Sequence, residues 1–258
     1  MVGRRERKAP AEGSQQVRLR LEYRELLDDY TRDVVEMCGL ARRAMLHASR
    51  SMVTQDLEAA ESAMTESDKV IEIHRRCEDR ALLLLALQNP VATDLRQVLS
   101  YIHMERDITR MGNLAKLVAK VARQHHPKPS FPTEILETIT RMAEACDHMA
   151  GDAGRLIATP KVADAQALAV ADEAVDTASR GLVSWATGPE WAFGNRAAVE
   201  IALVARYYER FADHCVGIGR HVVFMVTGLR PEEAELEALD AAENPDIAEL
   251  ERRFSLRQ

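Results

Sequence analysis

The chain has 258 residues, enough for one large domain or two small ones, and its 47% apolar and 29% charged residues are typical of a soluble globular protein. It carries 34 Lys and Arg against 41 Asp and Glu, and a net charge of -7 argues against a nucleic-acid-binding surface built on bulk positive charge. Only 5% of the residues are aromatic, and a composition rich in Ala, Leu, Glu and Arg favours helix and argues against an all-β fold. No apolar run is long enough to span a membrane, so we expect a cytoplasmic protein.

Proline positions divide the chain into helical stretches, because a proline inside a helix costs ~3 kcal/mol. A further polar break near Ser49–Asp56 divides the first stretch. We predict a disordered basic N-terminal tail over 1–15 and an acidic C-terminal tail over 231–258. Between them we predict six helices, at 16–50, 55–87, 93–124, 133–157, 161–186 and 196–228.

An internal repeat defines the architecture. The segment 106–113 (RDITRMGN) lies 100 residues before 206–213 (RYYERFAD), and both fit R-x-x-x-R-[MF]-[GA]-[ND]. A weaker echo pairs Asp68–Glu72 with Asp172–Asp176 in the preceding helix of each half. We therefore predict an all-α fold of two tandem antiparallel three-helix bundles related by internal duplication, one over 16–126 and the other over 127–230.

The predicted sixth helix separates charged from apolar residues. We expect Asn195 to open it and Gly228 to close it. At 100° per residue, one narrow face carries the charged stripe of Arg206, Glu209, Arg210 and Asp213. The opposite face is apolar and predicts the core contacts of Ile201, Val204, Tyr208, Phe211, Cys215, Ile218 and Val222. A stripe with opposite charges three residues apart is typical of a solvated surface, although it also suits a binding site.

The acidic residues of the second half are candidate metal ligands. Glu209 and Asp213 lie one turn apart and repel each other unless arginines or a cation lie between them. Asp172 and Asp176 repeat that spacing on the preceding helix, and four converging carboxylates suit Mg, Mn, Ca or iron. A carboxylate-bridged metalloenzyme is an alternative, but the chain lacks the Glu-x-x-His pairs of ferritin-like di-iron proteins. No catalytic residue is nominated.

The first half has lost the equivalent carboxylates. Its stripe consists of Arg106, Thr109, Arg110 and Asn113. Neutral Thr109 and Asn113 are poor ligands for hard cations, so any first-half metal site is weakened. Asp68 and Glu72 remain on the second helix, but Arg75 and Arg76 follow one turn later and better suit an anion or an ion pair.

We interpret three smaller features of the sequence mainly as packing features. Gly217 and Gly219 lie inside a predicted helix and indicate close helix packing, not a dinucleotide fingerprint. Trp185 and Trp191 flank the turn before the sixth helix, where we expect packing or a partner contact. The cysteines form no C-x-x-C pair, and we expect reduced core thiols at Cys38, Cys77, Cys146 and Cys215.

Several of these segments together resemble the PhoU family of phosphate-signalling proteins. The family motif Q-P-V-A-x-D-L-R resembles Gln88–Arg96 (QNPVATDLR), and its E-R-I-G-D motifs resemble the two repeated segments at 106–113 and 206–214. The segment 222–228 (VVFMVTG) also resembles the end of the sixth helix in the actinobacterial branch. The resemblance covers about residues 16–230.

The resemblance implies a cytoplasmic, homodimeric, non-enzymatic regulator. Such a protein restrains the high-affinity phosphate ABC transporter and keeps the phosphate-starvation two-component system off when phosphate is plentiful. The implied partners are the ATPase subunit of the transporter and the sensor histidine kinase, without nucleic acid and with membrane association only through partners. No cofactor is required, and the charged stripes would orient the partners.

Some family members bind iron, zinc or other cations through E/D-x-x-x-D motifs. By position, that motif is Glu209–Asp213, with Asp172 and Asp176 as companions for a divalent or ferric cation. Thr109 and Asn113 depart from the motif, so the resemblance does not imply a symmetric pair of clusters.

Overall fold

The computed structural model describes residues 10–87 and 92–229 of the chain. Those residues form helices and connecting turns, with no β-strand among them, which confirms the all-α prediction. The helices are α1 Pro10–Thr54, α2 Leu57–Leu87, α3 Ala92–His125, α4 Thr133–Ala158, α5 Val162–Ala186 and α6 Gly194–Thr227.

The first helix is longer at both ends than the sequence predicts. It begins at Pro10, so residues 10–15 of the predicted disordered tail are helical, and residues 1–9 lie outside the described residues. Ser49 does not begin a break but is buried inside α1, where its hydroxyl donates to the Met45 carbonyl at 2.7 Å. The break is confined to two residues, and Asp56 caps α2 by accepting the Ala59 N–H at 3.0 Å.

The two ends of α6 give different results. The helix begins at Gly194 after the N-cap residue Phe193, so the prediction that Asn195 is the N-cap is wrong by two residues, and Phe193 makes no side-chain cap. Gly228 does end the helix, since it has a φ of 79° and donates its N–H to the Phe224 carbonyl at 2.8 Å. Glycine tolerates this left-handed conformation without a Cβ clash. The predicted acidic tail over 231–258 lies outside the described residues.

Two three-helix bundles share one core. Helices α1, α2 and α3 pack together, as do α4, α5 and α6, and the bundles join where α1 contacts α4 and where α3 contacts α6. A single hydrophobic cluster runs through both bundles. Inside it, Tyr208 of α6 and Ser49 of α1 share a hydrogen bond of 2.7 Å between their hydroxyls. The repeats are therefore halves of one body, not independent cores.

Burial patterns give the register of the two repeats. Almost every buried position of α4 and α5 recurs 105 residues earlier in α1 and α2, as Ile135 and Tyr30 show, and α6 matches α3 at 100 residues. The predicted echo of Asp68–Glu72 with Asp172–Asp176 is thus out of register by one residue, because Asp172 corresponds to buried Ser67. A shift of one residue rotates a side chain by about 100° around the helix. Asp68 and Glu72 accordingly lie exposed on α2.

Close packing explains the glycines inside α6. A Cβ at Gly219 would lie 3.0 Å from the Ala165 carbonyl oxygen of α5, and one at Gly217 would lie 2.9 Å from Oδ2 of Asp107 on α3. These glycines let α6 approach both neighbours, which confirms the sequence interpretation. The four cysteines are also buried and free.

All seven residues predicted to form the core face of α6 are buried. The register of this helix, and therefore the direction of its charged stripe, follows from that face. Among the described residues, every helix is too polar or too short to cross a lipid bilayer.

Candidate functional site

The charged stripe of α6 lies on the outer surface of the second bundle. Arg206 contacts Glu209 one turn later, and Nε of Arg210 lies 4.0 Å from Oδ2 of Asp213. Both arginines and Asp213 are exposed, while Glu209 is half-buried and accepts a hydrogen bond of 3.0 Å from Ser179 of α5. The self-neutralising pairs of the sequence interpretation are therefore present.

The two carboxylates of this stripe, Glu209 and Asp213, lie close to Asp172 and Asp176 of α5. Burial, together with the neighbouring charges of Asp176, Asp213 and Glu209, raises the pKa of Asp172 to about 6. One oxygen each of Asp172 and Asp176 is buried without a hydrogen-bond partner. The charges of these four residues therefore interact, while metal binding by them stays a prediction. Coulomb repulsion makes this acidic cluster a favourable place for a proton or a cation.

The geometry of the acidic cluster is not that of a formed metal centre. Within residues 10–87 and 92–229, no group of three or more His, Cys, Asp or Glu side chains is arranged to hold a metal ion. Glu209 already pairs with Arg206 and accepts a hydrogen bond from Ser179. Binding of a cation would require these contacts to rearrange.

The first repeat presents a different surface at the corresponding place. Arg106 and Arg110 are exposed and make no ion pair or hydrogen bond with the described part of the chain. The Thr109 hydroxyl is buried without a partner, and Asn113 is half-buried. Asp68 pairs with Lys116 at 2.6 Å instead of joining an acidic cluster. Arg106 and Arg110 therefore have no neighbouring carboxylates among the described residues to neutralise them, whereas their counterparts Arg206 and Arg210 pair with Glu209 and Asp213.

The first bundle contains a buried polar cluster of which the sequence predicts only one part, an ion pair at Arg76, and this part is confirmed. Asp33 is 6% exposed and accepts two hydrogen bonds from Arg76, at 3.0 and 2.6 Å, while Nε of Arg80 lies 2.8 Å away. Nearby, Tyr30 donates to buried Glu105, which also lies 3.2 Å from Nδ1 of His74. The available signal was charged residues at otherwise apolar helix positions, such as Glu105 between Met104 and Ile108.

Burial has clear electrostatic consequences for that cluster. It raises the pKa of Glu105 to about 7, although the hydrogen bond from Tyr30 acts in the opposite direction. Burial and the Glu105 charge together raise the pKa of the Tyr30 hydroxyl far above its usual value. The cluster thus retains a proton that an exposed carboxyl would lose at neutral pH.

A second missed group joins the two repeats. Asp107 of α3 lies 3.0 Å from Nδ1 of His214 and 3.3 Å from Nε2 of His221, both on α6. Burial alone would raise the pKa of Asp107, but hydrogen bonds from the two histidines outweigh it and lower the pKa to about 2. The spacing of His214 and His221 on α6 does not predict a contact with a carboxylate of the other repeat. Only the packing of α3 on α6 shows this contact.

A groove separates α4 from α5 in the second bundle. Its volume is about 490 Å³, and it is lined mainly by apolar residues. Trp185 stands at its end and contacts Trp191 and Phe193 edge-to-face, with ring centroids 5.7 and 6.4 Å away. The predicted packing role of the two tryptophans is therefore confirmed within the chain.

Comparisons with known proteins agree with the repeat structure. The sequence model of the PhoU domain matches residues 34–122 and 139–222, one match in each bundle. The phosphate-specific transport system accessory protein PhoU homolog 2 of Mycobacterium tuberculosis is 38% identical over 213 residues, covering 83% of this chain and 100% of the relative. PhoU homolog 1 of Mycobacterium leprae is 38% identical over 215 residues, 83% of this chain and 97% of the relative.

Two solved structures share the fold. The crystal structure of PhoU from Pseudomonas aeruginosa has a TM-score of 0.71 at 23% identity and covers 80% of this chain and 100% of its own. The phosphate transport system regulatory protein PhoU from Streptococcus pneumoniae has a TM-score of 0.72 at 22% identity and covers 80% of this chain and 98% of its own. At these identities, the likeness supports the six-helix architecture alone.

Proposed function

The chain belongs to the PhoU family, and from this premise we propose that it is a negative regulator of phosphate uptake and of the phosphate-starvation response. One observation carries the proposal: similarity to the accessory protein of M. tuberculosis extends over both repeats and the whole length of that relative. A likeness confined to one bundle would support only a shared helical module.

The proposed action is by protein contact, without chemistry. The partners are the ATPase subunit of the high-affinity phosphate ABC transporter and the phosphate-sensing histidine kinase, and the protein acts as a cytoplasmic homodimer. Two pseudo-equivalent faces support two partners, because Arg106 and Arg110 give one face free positive charge while Asp172 and Asp176 make the other acidic. Complementary charge mainly sets partner choice and association rate.

A phosphatase reporter of the starvation response tests this function. The host strain is compared in phosphate-rich medium with a strain that lacks this gene and any close paralogue. We expect the reporter to rise on loss and to fall again on complementation. A reporter that stays low in the deleted strain would contradict regulation.

Charge reversal at the stripes tests the contact mechanism. Arg206→Glu with Arg210→Glu should weaken partner binding, but it also adds negative charge beside Glu209 and Asp213. Arg106→Glu with Arg110→Glu is the cleaner variant, because neither arginine has an ion pair among the described residues. We expect its free energy of unfolding to change by no more than about 0.5 kcal/mol while partner binding weakens. Partner binding that is unchanged in both variants would show that the charged stripes are solvated surface and not a binding site.

The acidic cluster supports a second candidate function, cation binding. The supporting observation is the pair of buried, unpartnered oxygens on Asp172 and Asp176, which a cation would satisfy. Hard oxygen ligands of this kind suit Mn²⁺, Mg²⁺ or ferric iron. We include a carboxylate-bridged metalloenzyme in this alternative, although catalysis would also need an open coordination position.

Calorimetric titration with Mn²⁺ distinguishes the candidates. Cation binding predicts about one equivalent at pH 7.5 and much weaker binding at pH 5, where Asp172, with its pKa of about 6, is protonated. Asp172→Asn should abolish the heat, whereas Asp68→Asn on the first repeat is the matched control. No Mn²⁺ heat at pH 7.5, or equal heat from wild type and Asp172→Asn, would contradict cation binding at this cluster.

A further inference from the structure

The groove between α4 and α5 is a seam that the second repeat leaves open. Its floor is formed by buried side chains, among them Met142, Val175 and Leu182, and its wall on α5 contains Ala178 and Gly181. Arg141 is the one charged residue that lines it. An apolar depression of this kind is the usual receptor for apolar side chains of a partner.

The first repeat closes the same seam with its own side chains. At the separation of 105 residues, Gly181 and Trp185 correspond to Arg76 and Arg80, and Thr138 corresponds to Asp33. In the first repeat both arginines reach across from α2 to the buried Asp33 carboxylate on α1. The second repeat has neither of the two arginines nor the carboxylate that would pair with them. Its opening therefore results from particular substitutions in a common scaffold.

Gly181 is informative because no neighbour within residues 10–87 and 92–229 requires a glycine there. It lies within α5, where glycine is less favourable than alanine, and its φ is not positive. A Cβ at this position would meet no atom within 4 Å. Gly217 and Gly219 differ, since each has a neighbour at 3.0 Å or less. A missing side chain without an internal neighbour leaves room for something outside the chain.

Aromatic side chains extend the groove at one end. Both tryptophans of the chain lie there, and Phe193, which is 49% exposed, packs against Trp191 with ring centroids 4.9 Å apart. Tryptophan is enriched among the residues that carry binding energy in protein interfaces. The groove and this aromatic end therefore form one continuous surface.

We propose that this groove binds an α-helix from a regulatory partner of the protein. The helix presents large apolar side chains one turn apart to the floor and an acidic side chain to Arg141. The proposal deepens the proposed function and rests on it, because it names the element of the partner that docks. An amphipathic helix in an apolar groove is a common mode of peptide recognition.

The positive charge of Arg141 indicates that the bound helix carries an acidic side chain on the flank facing it. Arg141 is exposed, and within the described part of the chain it donates only to the Thr138 hydroxyl, at 2.9 Å. In the first repeat its counterpart is Glu36, which pairs with Arg76 at 3.2 Å inside the chain. The second repeat therefore has a positive charge at the rim of the groove where the first repeat has a negative one. No carboxylate of the described residues pairs with Arg141, so a carboxylate of the partner would complete the ion pair.

Tryptophan fluorescence offers a direct binding assay, since both tryptophans lie at the groove. The probes are synthetic 20-residue peptides that tile the cytoplasmic segments of the histidine kinase and the ATPase subunit. We expect one helical segment with apolar residues three and four apart and an acidic flank to change the fluorescence of the full chain. Gly181→Arg, which copies the first repeat, should weaken that binding at least about tenfold.

Ala169→Arg is the matched control because residue 169 is exposed on α5 and does not line the groove. It should bind the peptide as wild type does, and thermal unfolding should show that both variants are folded. Arg141→Glu supplies a second variant at an exposed position. It should weaken the acidic peptide about tenfold and favour a version with lysine in place of the acidic residue.

Three results would overturn parts of the account separately. Equal peptide binding by Gly181→Arg and Ala169→Arg would overturn the groove as the docking site. Intact partners that bind the wild type and Gly181→Arg equally, with no peptide changing the fluorescence, would overturn the groove but leave the regulatory function standing. Failure of both intact partners to bind wild type, together with a silent reporter, would overturn the proposed function and the groove inference with it.

Discussion

The two repeats share a backbone plan but differ in what their side chains do between the first two helices of each bundle. In the first, Arg76 and Arg80 of α2 close the seam on Asp33 of α1. In the second, Gly181 and Thr138 occupy two of the corresponding positions and leave the α4–α5 groove. Duplicated scaffolds can therefore assign stability to one copy and an open surface to the other through a few substitutions.

The buried cores of the two bundles also differ in their polar side chains. The first core buries Tyr30, Glu105 and His74 in one hydrogen-bonded group. Their counterparts in the second repeat are Ile135, Ala205 and Ser179. A buried polar network stabilises only when all of its members have partners, so the first bundle should be much more sensitive to single polar substitutions than the second.

Removing the centre of that network should have the largest effect on stability. Glu105→Ala copies the second repeat at one position but leaves the Tyr30 hydroxyl buried without an acceptor. We expect the free energy of unfolding to fall by about 3 kcal/mol in urea denaturation.

A double-mutant cycle sharpens this prediction. Tyr30→Phe removes the orphaned donor, so the double variant should be more stable than the sum of the single effects by about 1–2 kcal/mol. Strict additivity would show that the Tyr30–Glu105 hydrogen bond contributes nothing particular to the first core.

The pH dependence of stability should also separate the two cores. The Glu105 pKa is raised from its usual 4.5 to about 7 in the folded chain, so the folded state binds this proton more tightly than the unfolded state. Its contribution is fully present below pH 4.5 and is lost as pH rises through about 7. The shift corresponds to roughly 3 kcal/mol, and we expect this pH-dependent loss of stability to disappear in Glu105→Gln. Identical pH profiles of the two proteins would contradict it.

An ion pair between the two repeats should make a contribution of intermediate size to the free energy of unfolding. Arg42 and Asp147 hold corresponding positions in α1 and α4, and Arg42 donates to both carboxylate oxygens, at 2.5 and 2.8 Å. Arg42→Ala should lower the free energy of unfolding by about 1–2 kcal/mol, because the Asp147 side chain is only 18% exposed.

Exchanging the two charges provides the control for this contact. Arg42→Asp alone should be more harmful than Arg42→Ala, and adding Asp147→Arg should recover about half of the loss. No recovery in the exchanged variant would show that packing, not the ion pair, joins the bundles here.

The smallest effect is expected in the acidic cluster. Asp172→Asn removes one of several repelling carboxylates, and a like-charged pair one turn apart destabilises by about 0.2–0.5 kcal/mol. In metal-free buffer at neutral pH, thermal unfolding should therefore occur about 1 °C higher. A lower melting temperature would indicate that Asp172 makes a stabilising contact.

The sequence predicts the helices, the repeat and the α6 stripe because proline spacing and apolar periodicity act within one helix. It also brings Asp172 and Asp176 to α6, although it aligns them wrongly with the first repeat, since two acidic residues at equal spacing carry no information on which face is buried. The groove and the Asp107–His214 contact could not be predicted. Both depend on how two helices from distant parts of the chain meet, which no local pattern encodes.

Complementation of the deleted strain tests most directly whether the open second repeat carries the regulation. Wild type, Gly181→Arg and Ala169→Arg are expressed at equal levels in phosphate-rich medium, and the phosphatase reporter is measured. We expect wild type and Ala169→Arg to lower the reporter and folded Gly181→Arg to leave it high. A reporter lowered equally by all three proteins would show that the groove does not carry the regulation.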